Sequence, residues 1–228
     1  MREIAIIGTG MMAQALGWGW SQAGHSVRIG SRTPDAVSGE NLGYEPSMIA
    51  DPSAALLGSE VAVLAMPFAS VAPFVREHRS ILRDIVVIDI SNPFDSLPNN
   101  ERAGAEYTAD ALGTTKNVVA AFKDNFAATI NAAPTQDGSR GDVKIAADDE
   151  AAKEVVASLA RDLKHRVLDC GPLHNARLID PMVALMLQLD RTYAHFTRRT
   201  GWLFTGLDEV GPQVIAMEEG EADCEQHQ

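Results

Sequence analysis

The sequence predicts an α/β protein: a doubly wound, mostly parallel sheet flanked by helices, followed by a C-terminal helical segment. Three observations predict it. Short runs rich in Val, Ile and Ala recur along the chain, with helix-like stretches between them. Several of these runs are apolar at consecutive positions, which suits strands buried on both faces of a parallel sheet. A glycine-rich turn follows the first run and opens the first helix.

The elements follow in order. "IAII" (4–7) is the first strand, and residues 11–24 form a helix that stops at Gly24, a residue suited to a left-handed helix end. "SVRIG" (26–30) and "VAVLA" (61–65) are the next strands. Residues 69–82 then place Val71, Phe74, Val75, Ile81 and Leu82 near helical spacing. "IVVIDI" (85–90), "NVVAAF" (117–122), "DVKIAA" (142–147) and "RVLDC" (166–170) read as further strands. Between the last two, residues 149–163 put Ala152, Val155, Val156, Leu159 and Leu163 on one stripe, with Asp148 or Asp149 as the cap. From Pro172 onward the pattern changes. "PMVALMLQLDRTYAHF" carries Met182, Leu185, Met186, Leu189, Tyr193 and Phe196 on one side, and Val183 and Leu187 on another. Two apolar faces on one helix imply deep burial or a partner chain, and a homodimer is the favoured reading. The expected organisation is a nucleotide-binding domain over 1–170, a helical segment with pocket and dimer contacts over 171–212, and an acidic, disordered tail over 213–228.

Composition narrows the function. The chain has 228 residues, 46% hydrophobic and 22% charged, which suits one domain or a domain with a small appendage. A formal net charge of -12 argues against nucleic acid, whose phosphates call for clustered Lys and Arg. Glu218, Glu219, Glu221, Asp223 and Glu225 crowd the C-terminal end. Cys170 and Cys224 make no disulfide framework, and a reducing cytoplasm is the simple expectation. No run approaches the ~18 apolar residues of a membrane span. The apolar start breaks at two glycines and reads as a strand, not as a signal peptide. The six histidines show no metal-ligand spacing, so no metal site is expected. Nucleophile-elbow and P-loop motifs are absent from the sequence as well.

"IAIIGTGMMAQAL" has Gly8, Gly10 and Ala13 in the arrangement G-x-G-x-x-A, directly after a strand and opening a helix. Gly8 permits the tight turn, and Gly10 lets the backbone approach a pyrophosphate at the helix N-terminus. The expected cofactor contacts here run from Gly8 and Thr9 through Gly10, Met11 and Met12. At the end of the second strand, "IGSR" places Ser31 and Arg32 where many such folds carry an acid. An acid bonds the ribose 2′-hydroxyl of NAD, whereas an arginine accommodates a 2′-phosphate, so the pair favours NADP(H). The plainer alternative is a surface turn. Ligands in this fold lie beyond the carboxyl ends of the strands, so Ala65, Met66 and Pro67, and then Asn92 in "DISNPF", are expected to border the nicotinamide end.

Together "GTGMMAQAL", "IGSR", "AMPF", "VVIDISNP", "VVAAFKDNFAATI" and "LDCGPLHNARLID" follow the order found in NADPH-dependent reductases of the deazaflavin coenzyme F420, a Rossmann-type family. The chain resembles that family from about Arg2 to Gly206, and also the reductase domain of the STEAP metalloreductases. Its first half is shared with other dinucleotide enzymes, including pyrroline-5-carboxylate reductases. The resemblance implies that Thr9, Ser31 and Arg32 hold the NADP 2′-phosphate. It also implies that Phe122, Lys123 and Asn125, with His174 in the loop from Gly171 to Arg177, line the site of a small-molecule redox partner, coenzyme F420 or a flavin. Direct hydride transfer needs orientation more than an acid or base, so no catalytic residue is assigned. Two departures stand out: Ala36, where some relatives are basic, and Lys123-Asp124, where asparagine or histidine and a small residue are common. Lys123 is therefore either a weak catalytic or anion-recognising candidate or a solvated loop lysine. Arg177 would meet an acidic ligand or pair with Asp180. Two alternatives remain open: an NADPH-dependent reductase of a small imine or carbonyl, with Lys123, Asp124 or His174 as proton source, and a non-catalytic NADP(H)-sensing module.

Truncation after Met217 is expected to leave the melting temperature unchanged, and sedimentation of the shortened chain is expected to show a dimer at micromolar concentration. A large thermal loss would put the tail on the folded body, and a monomer would make the apolar helix faces core alone.

Overall fold

The computed structural model describes residues 1–133 and 140–206. Strands β1 (Glu3–Ile7), β2 (Ser26–Gly30), β3 (Met48–Ala50), β4 (Val61–Leu64), β5 (Val86–Asp89), β6 (Val118–Ala121), β7 (Asp142–Ala146) and β8 (Arg166–Asp169) form one sheet in the order β3-β2-β1-β4-β5-β6-β7-β8. Every neighbouring pair is parallel except β6 and β7, which are antiparallel. Strand β1 lies between β2 and β4, with Ile7 opposite Gly30 on one side and Leu64 on the other. The chain first builds outward from β1 to β3, then returns to build from β4. That reversal opens a crevice at the carboxyl ends of β1, β2 and β4.

Helices α1 (Met11–Gln22), α2 (Gly39–Leu42), α3 (Pro52–Leu56), α4 (Phe68–Glu77), α5 (Arg79–Leu82), α6 (Gly104–Leu112), α7 (Ala127–Ile130), α8 (Glu150–Asp162) and α9 (Ala176–Tyr193) connect and cover the strands. Two hydrophobic clusters form. One joins Ile4, Ile6, Val61, Val63 and Val119 to Leu16 and Trp20 of α1 and Val156 and Leu159 of α8. The other joins Ala5, Ile7, Ala62, Leu64 and Val118 to Val71 and Val75 of α4, Leu112 of α6 and Ile179 of α9. Successive side chains of a strand point to opposite faces, so a strand covered on both faces must be apolar throughout. Physical coverage on both sides explains the unbroken runs.

The structure departs from the sequence reading in four places. The helix expected over 69–82 is two, α4 and α5, meeting at His78; Pro73 inside α4 has no amide to give, and the His78 amide closes α4 on the Phe74 carbonyl. Strand β3 is only three residues long and partly exposed, so it left no periodic trace. Helix α6 faces the core with Ala105, Ala109 and Ala111 besides Leu112, and small residues give a weak hydrophobic stripe. Its start is marked by Glu106, whose carboxylate accepts the Ala103 amide at 2.7 Å. Helix α9 begins earlier than Pro181, and its buried line is Ala176, Ile179, Val183, Met186 and Asp190. Leu185, Tyr193 and Phe196 are exposed, so the apolar side read from the sequence is divided between core and surface. Asp149 is the cap of α8, accepting the Ala152 amide at 2.9 Å, while Asp148 accepts the Leu173 amide at 2.8 Å.

Among the described residues, no helix is long and apolar enough to cross a membrane. Residues 207–228, which include the expected tail, lie outside the described residues.

Trp20 ties α1 to α8. It is fully buried, its indole N–H donates to the Leu159 carbonyl at 2.9 Å, and its ring meets Phe122 edge-on at 6.0 Å. Trp20→Phe removes the donor and leaves that carbonyl unpaired beside a small cavity. Urea unfolding followed by circular dichroism is expected to show a loss of about 2–4 kcal/mol with the m-value unchanged.

Candidate functional site

The crevice is built around the turn after β1. Gly8 has φ +131°, and a Cβ built there would lie 2.1 Å from the Ala65 carbonyl oxygen. Its amide donates to the Gly30 carbonyl at 3.0 Å. The turn is thus wedged between the ends of β2 and β4, and a side chain has no place in it. Gly10 differs: a Cβ there would meet nothing within 4 Å. It caps α1 with extended backbone and without a side-chain hydrogen bond. The first amides of α1, from Met11 and Met12 onward, therefore present the positive end of a helix to open space. Gln14 steadies the turn by donating to the Thr9 carbonyl at 3.0 Å.

This turn is one wall of a cavity of about 870 Å³. Thr9, Ser31, Arg32, Ala65, Met66 and Pro67 line it, as expected from the ends of β1, β2 and β4. Ser31 is buried; its amide donates to the Ala50 carbonyl at 2.9 Å and its hydroxyl oxygen accepts the Thr33 amide at 3.1 Å. The hydroxyl proton stays available to a ligand. Arg32 is exposed and makes no ion pair with the described residues. A hydroxyl donor beside an uncommitted guanidinium suits a phosphate dianion. The far wall comes from Pro52, Pro73, Phe74 and Glu77, which no sequence motif marked. His78 braces it: the ring stacks on Phe74 at 4.2 Å, and its nitrogens lie 3.0 Å from the Phe74 carbonyl and 3.1 Å from Ser53 Oγ.

Beyond β5, outside the residues that line this cavity, Asn92 donates through Nδ2 to the Lys123 carbonyl at 2.7 Å, and its Oδ1 is buried without a partner among the described residues. The glycine turn, the bare helix end and the Ser31–Arg32 pair fit a dinucleotide carrying a 2′-phosphate.

The residues expected to meet the second substrate lie elsewhere in the main. Phe122 is buried in the core against Trp20, with φ 54°. Lys123 is neither a solvated loop lysine nor free for chemistry. Its side chain is fully buried, with Nζ 3.2 Å from Asp180 Oδ1 and 3.6 Å from Asp89 Oδ1, and it donates to the Ser91 carbonyl. Burial pushes the Asp180 carboxyl above its ordinary range, and the Lys123 charge opposes the rise. Asp180 is therefore not the partner of Arg177, which is exposed. Asp124 is buried and paired with Lys144 at 2.8 Å; burial raises its carboxyl and Lys144 pulls it back. Asn125 donates to the Asp142 carbonyl at 3.1 Å, and its Oδ1 is likewise buried without a partner among the described residues. His174 is exposed. Burial pushes the Cys170 thiol up to about 11, which keeps it protonated and unreactive at neutral pH. The sequence contained one overlooked signal, an acid inside the apolar run "VVIDI": Asp89 is fully buried and accepts from Ser91 and Thr108.

Comparison with known proteins follows from this geometry. Residues 3–93 match the family described as NADP oxidoreductase, coenzyme F420-dependent. An F420-dependent NADP reductase of Methanothermobacter thermautotrophicus is 28% identical across 91% of this chain and 96% of its own length. The metalloreductase STEAP3 of Rattus norvegicus is 32% identical across 81% of the chain, which spans only 37% of that longer protein. A solved structure from Arthrobacter sp. FB24, described as a putative F420-dependent NADP-reductase, superposes with a TM-score of 0.79 at 23% identity, covering 90% of this chain and all of that one. The last likeness concerns the fold, and the other two run through the cofactor crevice into the C-terminal half. Over residues 3–93 the chain thus matches the coenzyme F420-dependent NADP oxidoreductases, and along most of its length it is similar to an F420-dependent NADP reductase and to the metalloreductase STEAP3.

Proposed function

We propose that this protein passes a hydride between NADP(H) and a small redox partner of the deazaflavin or flavin class, with coenzyme F420 the first choice. The observation that carries the cofactor half is the buried Ser31 hydroxyl beside the exposed Arg32, which makes no ion pair among the described residues, at the end of β2. The relatives' names support the F420 half.

NADP(H) supplies the hydride chemistry, and the chain's residues bind and orient. Gly8 keeps the turn tight, Gly10 leaves room for a pyrophosphate, and the amides of Met11 and Met12 meet its charge. Thr9, Ser31 and Arg32 receive the 2′-phosphate. Ala65, Met66, Pro67 and Asn92 border the nicotinamide end. Ring-to-ring hydride transfer of this type asks for a fixed distance, and the proton that completes the reduced ring can be taken from water, so no protein acid is required.

An imine or carbonyl reduction does need a proton donor. Lys123 and Asp124 are committed to buried ion pairs, which leaves the exposed His174 as the remaining candidate among the three weighed. That distribution favours the first reading. An NADP(H) sensor without turnover stands as the reading to exclude by kinetics.

Arg32→Ala is expected to weaken NADPH binding by roughly tenfold to a hundredfold, since a charged hydrogen bond contributes ~1.5–3 kcal/mol. NADH binding is expected to stay nearly unchanged, and Ser31→Asp to go further by repelling the phosphate. Calorimetric titration of both cofactors checks this; equal losses for both would indicate damaged folding, and no response would remove the 2′-phosphate from this end.

For the second partner, anaerobic stopped-flow is run with NADPH against coenzyme F420, flavin mononucleotide and a cyclic imine. Oxidation of NADPH is expected with F420 or the flavin and not with the imine. Turnover with the imine alone would select the reductase alternative, and tight binding with no acceptor turned over would select the sensor.

A further inference from the structure

We infer that Lys123 is a positioning residue: it holds the 91–93 loop in place at the redox end of the crevice, with Asp180 of α9 as its anchor. The inference rests on the NADP(H) reading above for its ligand-binding part, and on the protein alone for the rest.

A buried ammonium is retained only where several partners surround it. The partners of Lys123 come from separated segments: Asp89 and the Ser91 carbonyl after β5, and Asp180 on α9. Asp180 in turn accepts the Gly104 amide at the start of α6 at 2.8 Å. The grip on the loop is reciprocal. Lys123 Nζ donates to the Ser91 carbonyl, while Asn92 Nδ2 donates back to the Lys123 carbonyl at 2.7 Å. The amide and hydroxyl of Ser91 are both committed to Asp89, at 2.8 and 2.7 Å. Pro93 is enclosed as well: a Cβ on Gly104 would come within 3.2 Å of Pro93 Cδ and 3.3 Å of Lys123 Nζ.

Among the side-chain polar atoms of the loop, the buried Oδ1 of Asn92 has no partner among the described residues. Asn92 Nδ2 and the neighbouring Ser91 are both held by the cluster, so the direction of that acceptor depends on Lys123. An apolar side chain could fill the same volume without the desolvation of three charges. It could not hold a loop by directed bonds. The cluster also joins α9 to the crevice, which gives the C-terminal helix a part in shaping a site it does not line.

The experiment uses the full chain with Lys123→Met and Asp180→Asn. Asp180→Asn keeps an acceptor for the Gly104 amide while removing the charge that anchors Lys123, and serves if Lys123→Met fails to fold. Two ligands are titrated by calorimetry: NADPH, and adenosine 2′,5′-bisphosphate, which has the 2′-phosphate end and no nicotinamide. In the ligand-free proteins, hydrogen exchange is compared between amides of residues 91–94 and of the 8–12 turn. Lys123→Met is expected to weaken NADPH about tenfold and Asp180→Asn about threefold, with the bisphosphate changed by less than about twofold. Exchange at 91–94 is expected to speed up about tenfold while the 8–12 turn stays protected as before. Unchanged exchange at 91–94 in a folded variant, or equal loss of both ligands, overturns the inference. Failure of the bisphosphate to bind the unaltered protein would instead overturn the NADP(H) reading, and the exchange comparison would still decide whether Lys123 holds the loop.

Discussion

Between the Gly30 and Ala65 carbonyls there is room for a turn with a hydrogen atom in place of a side chain, and Gly8 occupies it. That restriction organises the crevice. The turn must leave β1 at once, because β2 and β4 pair with it on both sides. It delivers the chain into α1 with the helix amides facing outward, beside the ends of the two neighbouring strands. A side chain at Gly8 would separate β1 from β4 at the point where the sheet reverses direction. The close approach that makes a dinucleotide site is therefore also a condition for the central strands to meet. Gly10 carries no such structural demand, since a Cβ there would meet no described residue within 4 Å. On the proposed function its small size would leave room for a pyrophosphate, which makes it the more informative glycine about function.

Much of this was legible in the sequence because its causes are local. Residue spacing marks a tight turn followed by a helix, and unbroken apolar runs mark strands covered on both faces. Ser31 and Arg32 follow directly from their place at the end of a strand. What stayed hidden has causes that are not local. Phe74 and Pro52 face the crevice only because α3 and α4 fold over it, with His78 joining them. Strand β3 and helix α6 leave faint patterns because one is short and the other packs with alanines. Lys123 is the clearest case. Beside Asp124 in a polar-looking "FKDNF", it reads either as a lysine of the second substrate's site or as a solvated loop lysine, yet the two side chains enter different buried pairs. Only the return of α9 brings Asp180 to it, from more than fifty positions along the chain.

The two ends of the crevice handle charge in opposite ways. At the β2 end, Arg32 is exposed, so its attraction for a phosphate is screened by salt and can be exchanged without disturbing the fold. At the β5 end, the charges of Asp89, Lys123 and Asp180 are sealed in the interior, where screening is weak and an unpaired partner is heavily penalised. Within the sheet, β1 and β4 stand between these ends. On the proposed reading, the buried Lys123 would set the 91–93 loop from the protein interior, while the exposed Arg32 would meet the ligand directly.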